Sequence, residues 1–266
     1  MFELELTEGT TIILEPGQQL TFRPRLLINS LKAILTSSNN ARDIDSESMN
    51  LIGSKEDWLH MSNTDTFAFD ADTHLLTLIS FYFSEENKVP DSLFLVKAAN
   101  KIVGLPKLAK YPEHFELEPF PYRYYHLEGD ILLCFNDEFE LAQQLTEVSL
   151  SKDFSLFFSD NHYCGWGLYH PETFVVIRVA DEIEYASNPI LKESFQDVFD
   201  LIAAEPLDRI SIERDEYSLQ KMANLHNKIL NYGAAPSSPL ASLAFWLFDV
   251  AGRYYEDEKI NSLFVK

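Results

Sequence analysis

The sequence predicts an α+β fold, with antiparallel β-hairpins in the first two-thirds packed with a helical C-terminal part. Three observations predict it. Stretches rich in Phe, Tyr and β-branched residues recur up to about residue 180, with turn residues between them. Beyond that point apolar residues recur at helical spacing behind Asn or Ser caps. Strands segregated from helices also argue against a doubly wound parallel sheet. The expected organisation is 1–180, mainly β with one N-terminal helix, and 181–266, helical. No Gly/Ser-rich linker divides them, which favours one compact unit.

Taken in order, FELELTE alternates, TTIIL is β-branched and EPGQ at 15–18 is a turn, so residues 1–23 read as short strands. Pro24 then opens an expected helix to about Leu35, with Leu27, Leu31, Ile34 and Leu35 on one face. The polar TSSNNARDIDSES that follows reads as a loop. TFAFDADTHLLTLISFYF is a hairpin turning at DADT, and YRYYHLEGDILLCF repeats the design around EGD. A third hairpin, FFSDNHYCGWGLYHP at 157–171, bends at Asp160 and Asn161. In the helical part, Asn188 caps and Pro189 begins a helix with Leu191, Phe195, Val198, Phe199 and Ile202 on one stripe. DEYSLQKMANLHNKILNYG is a second helix ending at Gly233. The third, capped by Ser238 and closing near Gly252, is apolar almost all round, which points to deep burial or to a covering partner such as a second copy.

The third hairpin carries the densest chemistry. With Asp160–Asn161 as a two-residue turn, Ser159 faces His162, Phe158 faces Tyr163, Phe157 faces Cys164 and Leu156 faces Gly165. Alternation then puts Tyr163, Tyr169, Gly165 and Gly167 on a core face, and His162, Cys164, Trp166, Leu168 and His170 on the other. Zinc would need four ligands near 2 Å, and His170 is roughly 26 Å along the strand from His162. Cys164 as a nucleophile would need a base closer than His162, which lies roughly 6–7 Å away by strand rise. The stretch therefore reads first as a structural hairpin and second as an interaction surface around an exposed Trp166 and Tyr163. Cys134 in ILLCF reads as a small buried apolar side chain, and His226, at helical spacing with Leu219, Met222 and Ile229, as a core histidine.

Charge is the strongest global signal: 42 acidic against 21 basic residues give −21. Such a field repels phosphate backbones and anionic lipid, and no Lys/Arg run offers a local exception, so neither nucleic acid nor membrane is expected as a partner. Eleven acids fall between Asp181 and Glu216, against Lys192, Arg209 and Arg214. A run of this kind is a solvated helix face or a surface steered to a cationic partner. Two cysteines give no disulfide framework. The opening MFELELTEGTT has acids where a signal peptide would have a basic region, and LASLAFWLFDVAG is too short to span a bilayer, so a soluble cytoplasmic protein is expected.

Glycine-rich phosphate loops, HExxH, CxxC, GxSxG and EF-hand loops do not occur, and no cofactor is expected. The leading expectation is an acidic, non-enzymatic protein-binding module of the bacterial accessory kind, in its concrete form an immunity-type inhibitor occluding a basic toxin or nuclease. Its expected contact residues are Trp166, Tyr163, His162, Asp197, Asp200, Glu213, Asp215 and Glu216. The alternatives are a hydrolase with a dispersed site drawn from His126, Asp130, His162 and Asp160, or an oligomerisation protein built on the 239–251 helix.

Overall fold

A computed structural model describes residues 3–38, 43, 51–54, 65–112, 115–128, 130–181, 185–235 and 238–264. It is an α+β protein, with strands through the N-terminal two-thirds and helices after them. The chain divides into two units, Met1–Leu26 with Ser30–Tyr169, and Leu27–Asn29 with His170–Lys266. Most of the loop expected at 36–48 lies outside the described residues.

The first unit holds β1 (Glu3–Thr7), β2 (Thr10–Pro16), β3 (Arg25–Leu27) up to Leu26, β4 (Lys32–Leu35), β5 (Leu51–Gly53), β6 (Thr66–Asp70), β7 (Leu76–Tyr82) and β8 (Glu86–Asn87). Helix α1 (Leu93–Ala98), β9 (Asn100–Lys110), β10 (Tyr122–His126), β11 (Ile131–Phe135), α2 (Asp137–Leu141), β12 (Thr146–Ser149), β13 (Phe154–Ser159) and β14 (His162–Tyr169) follow. One sheet runs β1-β2-β9-β12-β13-β14-β11-β10-β8 and closes on itself through a β1–β14 pairing. The closed ring is two antiparallel triplets, β1-β2-β9 and β12-β13-β14, joined by parallel contacts β9–β12 and β14–β1. Closure rests on Glu5 N–H donating to Asn161 O at 2.8 Å. A second sheet contains β3-β4-β7-β6-β5 in that order. Its Phe67 and Phe81 pack on Tyr163 of the first sheet, with ring centroids 5.5 and 6.4 Å away. Phe81 also meets Phe154 and Trp166, at 5.9 and 5.8 Å. The opposite face of the first sheet is covered by α1 and α2, through Leu95, Phe139, Ile131, Leu133, Phe135 and Phe157.

Two expectations are corrected here. Residues 24–35 are not helical: β3 and β4 flank a 3-10 turn, Ile28–Ser30, and Leu31 sits at φ 52. The pairing of Lys32–Leu35 with Tyr82–Ile79 of β7 gives those residues a sheet partner that the local leucine spacing cannot anticipate. The third hairpin turns at Asp160–Asn161 as expected, both at positive φ (48° and 70°), the conformation of a type I′ turn. Its register then slips. Phe158 pairs with Tyr163, but Phe157 pairs with Gly165 and Leu156 with Trp166, leaving Cys164 as an extra residue in a β-bulge. The bulge brings Tyr163 and Trp166 to one face, both against Phe81, and turns Cys164 to the α1–α2 side. Trp166, expected on the surface, is 0% exposed.

The second unit is built on α3 (Pro189–Leu201), α4 (Ala204–Asp208), α5 (Glu216–Asn231), α6 (Pro239–Tyr254) and α7 (Asp257–Leu263). Asn188 accepts from Leu191 N–H at 3.0 Å and Ser238 from Ala241 N–H at 3.2 Å, the two caps that the sequence marks. Along α3, Leu191, Phe195, Val198 and Phe199 are buried, and Phe195 stacks on Phe199 at 5.6 Å. His226 of α5 is a core residue, its ring 5.0 Å from Phe264 and its Nδ1 3.1 Å from Asn227 Oδ1. On α6 the apolar circumference is mostly buried, while Phe245 and Phe248 stay partly exposed. Among the described residues no helix is long and apolar enough to cross a membrane.

Candidate functional site

The hairpin residues scatter in role. Tyr163 is buried, and loss of hydration holds its phenol well above the usual range. Burial likewise pushes the Cys164 thiol well up, and its Sγ lies 3.4 Å from Phe157 O, a setting opposite to that of a reactive thiolate. His162 is exposed, with Nδ1 3.4 Å from Glu5 Oε2, beside the pairing that closes the ring. His170 begins the 3-10 turn Pro171–Phe174 in a left-handed conformation (φ 52). Among the described residues no group of three or more His, Cys, Asp or Glu side chains is placed to hold a metal ion. The dispersed His/Asp set does not converge. His126 pairs with Ile131, which pairs with Tyr169 at one end of β14, while His162 and Asp160 lie at the other end. Seven residues of strand separate those ends, roughly 23 Å.

The predicted acids lie in the second unit, and they differ. Asp215 is the N-cap of α5, accepting from Ser218 N–H at 2.8 Å; hydrogen bonding from the Ser218 hydroxyl first, and from backbone N–H groups after it, holds its carboxyl below the usual carboxylate range. Asp197 and Glu193 share Lys228, at 3.6 and 3.2 Å, and Asp200 takes a bond from Gln196 at 2.8 Å. Glu216 meets Lys259 at 2.8 Å. Glu213 is exposed and has no cationic partner among the described residues.

What stands out around these acids is the bend between α4 and α5. Arg209–Glu213 forms a single π-helical turn, and Arg214 ends it at φ 53. Such turns are uncommon, and a non-glycine residue in the left-handed region costs free energy. Two large apolar side chains on this bend, Ile212 and Tyr217, are each 73% exposed. Glu205, Asp208, Glu213 and Glu216 flank them along the chain, all exposed, Glu205 paired with Arg209 and Glu216 with Lys259. The bend is anchored from behind by buried Ile210 and by Tyr255, whose hydroxyl donates to Asp215 O at 3.0 Å. Ile212 and Tyr217 were not among the predicted contact residues. The signal was present in RISIERDEY, where single apolar residues interrupt a charged stretch without helical spacing. Comparison with protein-family models, with curated proteins and with solved structures gives no match to this chain.

Proposed function

We propose that this chain is an acidic, non-enzymatic protein-binding module, and that the bend at 204–217 is where it grips a basic protein surface. The observation that carries the reading is the pair Ile212 and Tyr217, each 73% exposed in a segment that also carries four exposed acids. Exposed apolar side chains ringed by charge are the anatomy of an interface centre and rim. Tyrosine anchors through a large rigid surface, and the carboxylates steer a cationic partner and fix its register. An immunity-type inhibitor that occludes a basic toxin or nuclease is the concrete form of this reading. The anchor is Tyr217, because Trp166 and Tyr163 are buried.

The test is capture at low salt on the immobilised chain and on a Tyr217→Ala, Ile212→Ser variant, each eluted by a salt gradient. The reading expects one basic protein held by the native chain and lost from the variant, with both chains unfolding at the same denaturant concentration. Equal retention by the variant would place the interface elsewhere.

A further inference from the structure

The first unit carries a second feature that the protein-binding reading does not use. Helix α1 lies over the sheet face formed by β11 and β14, with Leu95 in the core beneath it. Beside the helix opens a cleft of about 380 Å³ walled by Leu93, Phe94, Val96 and Ile131. Its polar lining is Lys97, His126 and Tyr169. The volume falls within the roughly 300–1,000 Å³ of small-molecule sites. At about 30 Å³ per water-sized group it holds on the order of a dozen heavy atoms. Phe94 is 70% exposed at its wall, so apolar area remains there for a ligand to cover.

The charge of the cleft runs against that of the molecule. In a chain of −21, its lining holds two bases, Lys97 and His126, and no acid. Neither has an acidic partner among the described residues. Tyr169 of the lining donates to Glu147 Oε1 at 3.1 Å, an oxygen that also accepts from Lys101 Nζ at 2.8 Å and Ser155 Oγ at 2.7 Å. Lys101 Nζ stands 5.4 Å from the Tyr169 ring, so the side chain on which Tyr169 rests is a carboxylate already paired with a lysine. We infer that this cleft binds a small amphipathic monocarboxylate, its apolar body against Leu93, Phe94, Val96 and Ile131 and its carboxylate between Lys97 and His126. A cationic ligand meets the Lys97 ammonium there, and a neutral one leaves that ammonium without a counter-charge.

The test is titration of the full chain with octanoate, 1-octanol and octylammonium, followed by calorimetry and by NMR of the tyrosine rings. Octanoate is expected to bind with a Kd of about 1 mM or tighter, at least about fivefold better than octanol, and octylammonium not at all. Lys97→Glu is expected to remove the preference for octanoate over octanol, and Phe94→Asp to weaken octanoate about tenfold. Both positions are exposed, so thermal unfolding of the variants should match the native chain. Equal binding of octanoate and octanol, octanoate binding untouched by either substitution, or no octanoate binding at about 10 mM would each overturn the inference.

Discussion

Gly165 and Gly252 show how far a glycine's role depends on what lies beside it. A Cβ on Gly165 would sit 2.8 Å from Cys134 O and 3.3 Å from Phe135 Cβ, a backbone atom and a core side chain that cannot retreat. Gly165→Ala is therefore expected to destabilise by about 1–3 kcal/mol, through overpacking. Gly252 lies within α6, and an added Cβ meets nothing within 4 Å, so Gly252→Ala is expected to stabilise by about 0.5–1 kcal/mol. Urea unfolding with unchanged m-values checks both. A different residue-scale effect sits at Asp65. Burial holds its carboxyl well above the usual range, even though Tyr82 N–H donates to it at 2.7 Å and Lys32 attracts it. The folded chain thus binds this proton more tightly than the unfolded chain. The group's contribution to stability is complete below an ordinary carboxylate pKa near ~4 and is lost as pH rises through the raised folded value. Asp65→Asn keeps the acceptor for Tyr82 and removes the charge. It is expected to stabilise the protein by about 1 kcal/mol at pH 7 and to change little near pH 4. A loss of stability at both pH values would show that the charge is well compensated. Nothing in the polar run SNTDTF marks Asp65 as a core residue, whereas the caps Asn188 and Ser238 declare themselves by type and by the proline that follows. Caps are local chemistry, while burial of a carboxylate depends on partners far along the chain.

The same division holds for elements. Two of the three long helices of the second unit, α3 and α6, were legible because cap, first-turn proline and apolar stripe agree within each segment, and α5, which has no proline, by its apolar stripe and the glycine after it. The hairpins were legible where turn residues set the register, as at Asp160–Asn161. The bulge at Cys164 was not, because it answers to packing between sheets: it places Tyr163 beside Trp166 under Phe81, a residue eighty-two positions before Tyr163. For the same reason 24–35 misled, since leucines that suit one helix face also suit a strand paired with β7. β9 was missed as well, although its eleven residues hold the ring together between β2 and β12. The bend between α4 and α5 tests the cost of an irregular element directly. Arg214 occupies the left-handed region with its side chain exposed. Arg214→Gly should therefore stabilise the chain by about 1 kcal/mol, read from the unfolding midpoint. If stability falls instead, the arginine side chain contributes to the bend more than its backbone costs.

At the scale of the molecule, composition announced the acidity but not its distribution. By count along the sequence, 16 acids and 9 bases fall in Leu27–Asn29 with His170–Lys266, a balance of −7, and 26 acids and 12 bases in the remainder, a balance of −14. The acid-rich run at 181–216 is thus conspicuous along the chain and yet belongs to the less acidic unit. This matters for how a basic partner would be captured. Long-range steering sums over all charges within a Debye length or so, about 10 Å at 0.1 M salt, while short-range register depends on the few carboxylates at the contact. Neutralising three of the four carboxylates at the bend by Glu205→Gln, Glu213→Gln and Glu216→Gln leaves 39 of 42 acids in place. Association at low salt is then expected to slow only about two- to fivefold, with dissociation nearly unchanged. Tyr217→Ala removes no charge and should leave association alone while raising the dissociation rate about tenfold or more. Surface-immobilised kinetics against the captured basic partner, at 20 mM and about 150 mM salt, separate the two effects. A rim variant that loses its partner through dissociation would mean that these carboxylates are buried in the interface as hydrogen-bonded pairs, with the apolar side chains at its edge. A Tyr217 variant with native kinetics would remove the bend at 204–217 from the interface altogether.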